Sequence, residues 1–100
     1  MTVMRMIRPL DFTHYPMIPP HTQAALRRYV EQGVAPGGFL IAVLTNDLMG
    51  AIAQADSDNI RVIRDICTFV YNNVPSDAWG NGDKVYAWSS DSLFDSICRT

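Results

Sequence analysis

Charge is scarce in this chain and has no strong sign. Only 18% of the 100 residues are Asp, Glu, Lys or Arg, and eight basic against ten acidic side chains leave a net charge of -2. A total so close to neutral supplies no long-range attraction to phosphate or to an anionic membrane. The two halves conceal no basic patch: residues 1–50 hold four basic and three acidic side chains, and residues 51–100 hold four and seven. Cysteine is nearly missing as well. Cys67 and Cys98 are too few for a disulfide framework and neither belongs to a CxxC pair, so a reducing, intracellular home is expected. Long apolar runs are lacking too. Phe39–Leu44 is far too short to span a bilayer, and the first residues reach Asp11 and His14 without a signal-peptide hydrophobic stretch. The expected place is the cytoplasm, with no membrane contact.

Hydrophobic residues, at 48%, are plentiful. One hundred residues suffice for a single core and are too few for two ordinary domains. Disorder does not fit this composition, and a charge-poor surface favours an oligomer or a partner. Three stretches are expected: an arm over residues 1–18, a helical domain over 19–88, and a tail or short helix over 89–100.

The arm is broken by Pro9, Pro16, Pro19 and Pro20, which prevent a continuous element. Tyr15 and Ile18 are its expected anchors. A first helix is predicted from Pro20 to Gln32, with proline in its first turn and Gly33 as a left-handed stop. Leu26 and Val30, flanked by Ala25 and Tyr29, give it one apolar face. The six apolar residues Phe39–Leu44 alone fit a buried strand or a buried helix. Pro36 before the run, Ala42 within it and the Thr45-Asn46-Asp47 cap signal after it favour a short helix. A second short helix then carries Leu48, Met49, Ala51, Ile52 and Ala55, with Asn46 or Asp47 as its cap. Asp56-Ser57-Asp58 caps a longer helix, about Asn59 to Asn72, in which Ile60, Ile63, Cys67 and Val70 form the predicted core stripe, widened by Ile66 and Tyr71. Val74-Pro75 ends it. Trp79 is expected to plug the edge of the core, Asp83–Trp88 to form a short helix burying Val85 and Trp88, and Leu93, Phe94 and Ile97 to form a last amphipathic turn. The predicted fold is all-α, a compact bundle of four or five short helices with an extended N-terminal arm.

Residues with chemical potential have plainer uses. His14 and His21 lack a third ligand at recognisable spacing, so no metal is expected. Cys67 reads as an inert core thiol without a partner base. Asp56 and Asp58 read as helix caps, in preference to paired catalytic carboxylates. Gly33, Gly37 and Gly38 precede Phe39, without the Lys and Ser/Thr of a phosphate loop. No cofactor, small-molecule substrate or enzymatic activity is expected.

Residues 29–48 read Tyr-Val-Glu-Gln-Gly-Val-Ala-Pro-Gly-Gly-Phe-Leu-Ile-Ala-Val-Leu-Thr-Asn-Asp-Leu, followed by Ala55-Asp56 and Asn59, by Tyr71-Asn72 and Pro75, and by Trp79-Gly80. This pattern resembles a widespread group of short bacteriophage and prophage proteins without an assigned activity, over about residues 19–88. The resemblance implies a shared helical fold and a small phage accessory protein in the host cytoplasm. On that basis the expected function is non-catalytic binding and modulation of a host protein, including inhibition of a bacterial defence system in the manner of an anti-CRISPR protein.

The ring content supports a binding role, because aromatic side chains with polar edges are favoured in interface hot spots. The candidate contact residues are Arg5, Arg8, Tyr15, Arg27, Arg28 and Trp79. A homodimer is compatible with an apolar patch on a charge-poor surface. The alternative is a nucleic-acid-binding regulator with a helix-turn-helix-like pair, which requires Arg27, Arg28, Arg61 and Arg64 to converge.

Overall fold

A computed structural model describes residues 9–89. The expected Leu93–Ile97 turn lies outside them. Among the described residues the chain forms six α-helices and one 3₁₀ turn: α1 (Pro20–Gln32), α2 (Gly38–Leu44), α3 (Leu48–Gln54), α4 (Ser57–Arg61), α5 (Ile63–Asn73), the turn Ser76–Ala78, and α6 (Gly82–Ser89). The all-α bundle is the observed architecture. No described helix is long and apolar enough to cross a membrane.

The first helix begins and ends where its punctuation requires. Proline at its start has no amide hydrogen to leave unpaired, and Gly33 takes a left-handed φ of 75° that a side chain would resist. The amides of Gly33 and Val34 then return to the carbonyls of Tyr29 and Arg28. Leu26, Tyr29 and Val30 of α1 are fully buried. The buried Tyr29 hydroxyl donates to the Ala78 carbonyl at 2.6 Å, tying α1 to the 3₁₀ turn. Trp88 of α6 donates its indole N–H to the carbonyls of Tyr29 and Val30 at 3.0 and 3.2 Å, occupying acceptors in the last turn of α1.

The core continues through Leu40, Ala42, Val43 and Leu44 of α2, Ala51 of α3, Ile66, Phe69 and Val70 of α5, and Val85 of α6. The stripe on α5 therefore differs from the one the sequence predicts. Ile66, Phe69 and Val70 point inward, whereas Ile60 is 39% and Tyr71 72% exposed, and Cys67 lies on the exposed side. Ile66 and Val70 belong to the predicted and the observed stripe alike, but the core face turns away from Cys67 toward Phe69, which lies about 160° from Cys67 on the helical wheel. Phe69 wins because its ring has a partner that periodicity within one helix cannot show. Phe12 stacks on it at 4.2 Å between centroids, and Tyr15 meets it edge-on at 5.1 Å.

The predicted single helix from Asn59 is also divided. Val62, at φ -121° and ψ 21°, ends α4 and precedes α5. Two β-branched residues, Val62 and Ile63, lower the cost of breaking there. Meanwhile Asn59, 5% exposed, is held toward α1 by the Thr22 hydroxyl, which donates to its Oδ1 at 2.6 Å.

Residues 9–19, the described part of the chain before α1, pack without regular structure. Leu10, Phe12 and Ile18 are buried. Both backbone groups of Leu10 are secured by α1: its amide donates to the Glu31 carboxylate at 3.0 Å, and its carbonyl accepts from Arg27 Nη1 at 2.7 Å. Of the two predicted anchors, Ile18 is fully buried and Tyr15 half-buried.

Candidate functional site

The two seven-residue helices, α2 and α3, set up the most unusual surface. At the end of α2, Asn46 adopts φ 67°, and the amides of Asn46 and Asp47 bond the carbonyls of Val43 and Ala42. This double closure is the usual end of a helix with a left-handed residue, here asparagine in the position that glycine most often takes. It turns the chain so that Asp47 caps α3, its Oδ1 accepting from the Gly50 amide at 3.0 Å. Gly50 permits this approach, since a Cβ there would collide with the Asp47 carboxylate.

Because α3 is capped in this orientation, Ala51 turns inward at 1% exposure while Leu48, Met49 and Ile52 remain 60%, 78% and 47% exposed. At about 100° per residue these three positions, together with exposed Ala53, occupy one continuous arc. A helix facing water ordinarily turns polar residues outward, and this one turns aliphatic residues outward. Single exposed apolar side chains are commonplace, but a contiguous group is the kind of surface that marks an interaction site.

Along the chain, α3 lies in a stretch whose formal charges are all negative. Between Arg28 and Arg61 the chain contains no lysine or arginine, but it contains Glu31, Asp47, Asp56 and Asp58. Asp47 stands at one end of α3, and Asp56 two residues beyond the other. The Asn59 amide, donating to Asp56 Oδ1 at 2.7 Å, holds that carboxyl below the usual aspartate range, and the nearby His21 adds to the effect. Asp56 is thus ionised throughout the neutral range.

Two concavities are formed by described residues elsewhere on the surface. One, of about 330 Å³, is lined by Val43, Asn46, Cys67, Thr68, Val70, Tyr71 and Trp79. Tyr71 and Trp79 meet edge to face there, 5.8 Å between centroids. Cys67 opens onto it, and partial burial pushes its thiol pKa up, which disfavours the nucleophilic thiolate. The other, of about 300 Å³, is lined among others by His21, Thr22, Phe39, Gln54, Asp56 and Asn59. His21 Nε2 lies 3.5 Å from Asp56 Oδ2, with both side chains more than half exposed. The adjacent Thr22 hydroxyl is committed to Asn59. Among the described residues no group of three or more His, Cys, Asp or Glu is placed to hold a metal ion.

No family model, curated protein or solved structure matches this chain.

The structure gives the residues singled out from sequence unlike roles. Arg5 and Arg8 lie outside the described residues. Arg27 is half-buried, bonded to the Leu10 carbonyl and set 5.0 Å over the Phe12 ring, so it fastens the N-terminal segment. Tyr15 belongs to the same cluster, its ring against Phe69 and its hydroxyl accepting from Asn72 Nδ2 at 3.4 Å. Arg28 is exposed, and half-buried Trp79 pairs with Tyr71. Sequence reasoning missed the face of Leu48, Met49 and Ile52, which it counted as helix-borne apolar residues without assigning them a direction. The signal was the run from Leu48 to Ala53, which has no polar residue for any side of the helix, inside a stretch without a cation.

Proposed function

We propose that this protein is a non-catalytic protein-binding module whose contact surface is centred on α3. The observation that carries this reading is the outward arc of Leu48, Met49 and Ile52 on a folded chain whose core is already filled by Ala51 and its neighbours. Fully burying an aliphatic side chain is worth about 1.5–3 kcal/mol, so leaving three on one face keeps in reserve a driving force that a partner can use. The mechanism is occlusion, in which the module covers part of its partner and performs no covalent chemistry. The narrower reading, a phage or prophage accessory protein that modulates a host protein and inhibits a defence system, rests on the sequence pattern over residues 19–88.

The test is affinity capture from nuclease-treated bacterial lysate with three baits: the natural chain, Met49→Glu and Ile52→Glu. A stoichiometric protein held by the first and released by both variants supports the reading. Capture that is indifferent to both substitutions removes α3 from the function.

A further inference from the structure

We propose that the α3 face receives a cationic amphipathic helical segment of another protein, with the partner's apolar side chains on Leu48, Met49 and Ile52 and its Lys or Arg side chains beside the flanking carboxylates. This inference rests on the protein-binding reading and specifies the partner's chemistry. Charge and area carry it. Asp47 lies at one end of α3 and Asp56 just past the other, with Asp58 following; the stretch from residue 29 to residue 60 contains no lysine or arginine, and the basic group beside Asp56 is the imidazole of His21, 3.5 Å away. An apolar strip with a carboxylate at each end selects a partner with the opposite pattern, since like charges brought together cost free energy and complementary charges steer encounter and fix orientation.

A second copy of this chain fits the face poorly. In a symmetric pair the same patch lies on both sides of the interface, so Asp47 and Asp56 would be brought against the carboxylates of their copies. Area weighs in the same direction. Seven residues of helix extend about 10 Å and, at a helix diameter of about 10 Å, present a face on the order of 100 Å², well short of the roughly 800 Å² that one side of a standard interface needs. A strip of that size suits a helix laid across it, held by a few anchors at helical spacing.

The experiment uses the full chain and two synthetic amphipathic peptides, one of Leu and Lys and its counterpart with Glu in place of every Lys. Affinity is measured at 0.15 M salt by fluorescence anisotropy of the labelled peptides for the natural chain and for Met49→Glu alike, and the methyl resonance of Met49 reports contact with α3 in the natural chain. The expected result is a Met49 shift with the Leu/Lys peptide alone, with affinity lowered about tenfold or more by Met49→Glu. The direction of that change is decisive. The new carboxylate would strengthen a merely diffuse attraction to Lys, whereas it weakens docking on the apolar face. Equal binding of both peptides, lost in Met49→Glu, would overturn the charge selection and leave the protein-binding reading standing. Undiminished Leu/Lys binding by Met49→Glu would overturn docking on α3, and the lysate capture then decides separately whether the broader reading falls with it. Self-association of the natural chain at this salt, abolished by Met49→Glu, would overturn the proposal in favour of a second copy.

Discussion

Phe69 and Cys67 lie two positions apart on α5 and illustrate how side-chain environment, more than side-chain type, sets energetic weight. Phe69 is fully buried between Phe12 and Tyr15, and truncation to alanine removes both ring contacts and leaves a cavity. Phe69→Ala should cost about 3–5 kcal/mol, read as a lower urea midpoint. Cys67→Ala, at the exposed rim of the Tyr71–Trp79 concavity, should cost less than about 1 kcal/mol in the same assay. The reverse ranking would restore the core stripe that the sequence predicts. Two carboxylates add a dependence on pH. Hydrogen bonds from the Thr13 hydroxyl and amide lower the pKa of Asp11, and the Asn59 amide lowers that of Asp56. A depressed folded-state pKa contributes stability above the unfolded value, about 3.9, and that contribution is lost as pH falls through the folded value. Asp56→Asn keeps a competent cap but cannot titrate. Its urea midpoint should therefore fall less steeply than that of the natural chain on acidification below about pH 4.

Local punctuation made most of the helices readable. Pro20 and Gly33 bound α1 at the predicted residues, Asp47 and Asp56 cap α3 and α4 as expected, and Val74-Pro75 ends α5. What escaped sequence reading depends on contacts between distant segments. The anchoring of Leu10 and Phe12 comes from Glu31, Arg27 and Phe69, which no periodic pattern within a proline-broken segment records. The direction of α3 escaped for another reason: a helix apolar on every side gives periodicity nothing to resolve, and only the turn at Asn46 decides that Ala51 faces the core. Arg27 lets the first of these long-range anchors be tested. Arg27→Ala removes a charged donor from the Leu10 carbonyl and the cation above Phe12, and should lower stability by about 1–3 kcal/mol. Faster hydrogen exchange at the Leu10 amide, relative to amides of α5, would show that the damage begins where the segment is fastened. Uniform acceleration would assign Arg27 to the global core instead.

An apolar face bordered by carboxylates also governs how copies of the whole protein meet in solution. Hydrophobic attraction between two α3 faces is opposed by repulsion between their rims, and the two forces respond oppositely to salt. The screening length shrinks from about 10 Å at 0.1 M to about 3 Å at 1 M, which weakens the repulsion while leaving apolar contact intact. The natural chain should consequently sediment as a monomer at low salt and associate as salt rises toward 1 M. Met49→Glu and Ile52→Glu replace exposed side chains on a helix with a good helix former, so each should leave stability within about 0.5 kcal/mol of the natural chain. Both should remain monomeric across the same salt series. Association of the natural chain that weakens with salt would mean that opposite charges hold copies together, and the carboxylates around α3 would then be part of an attraction between copies.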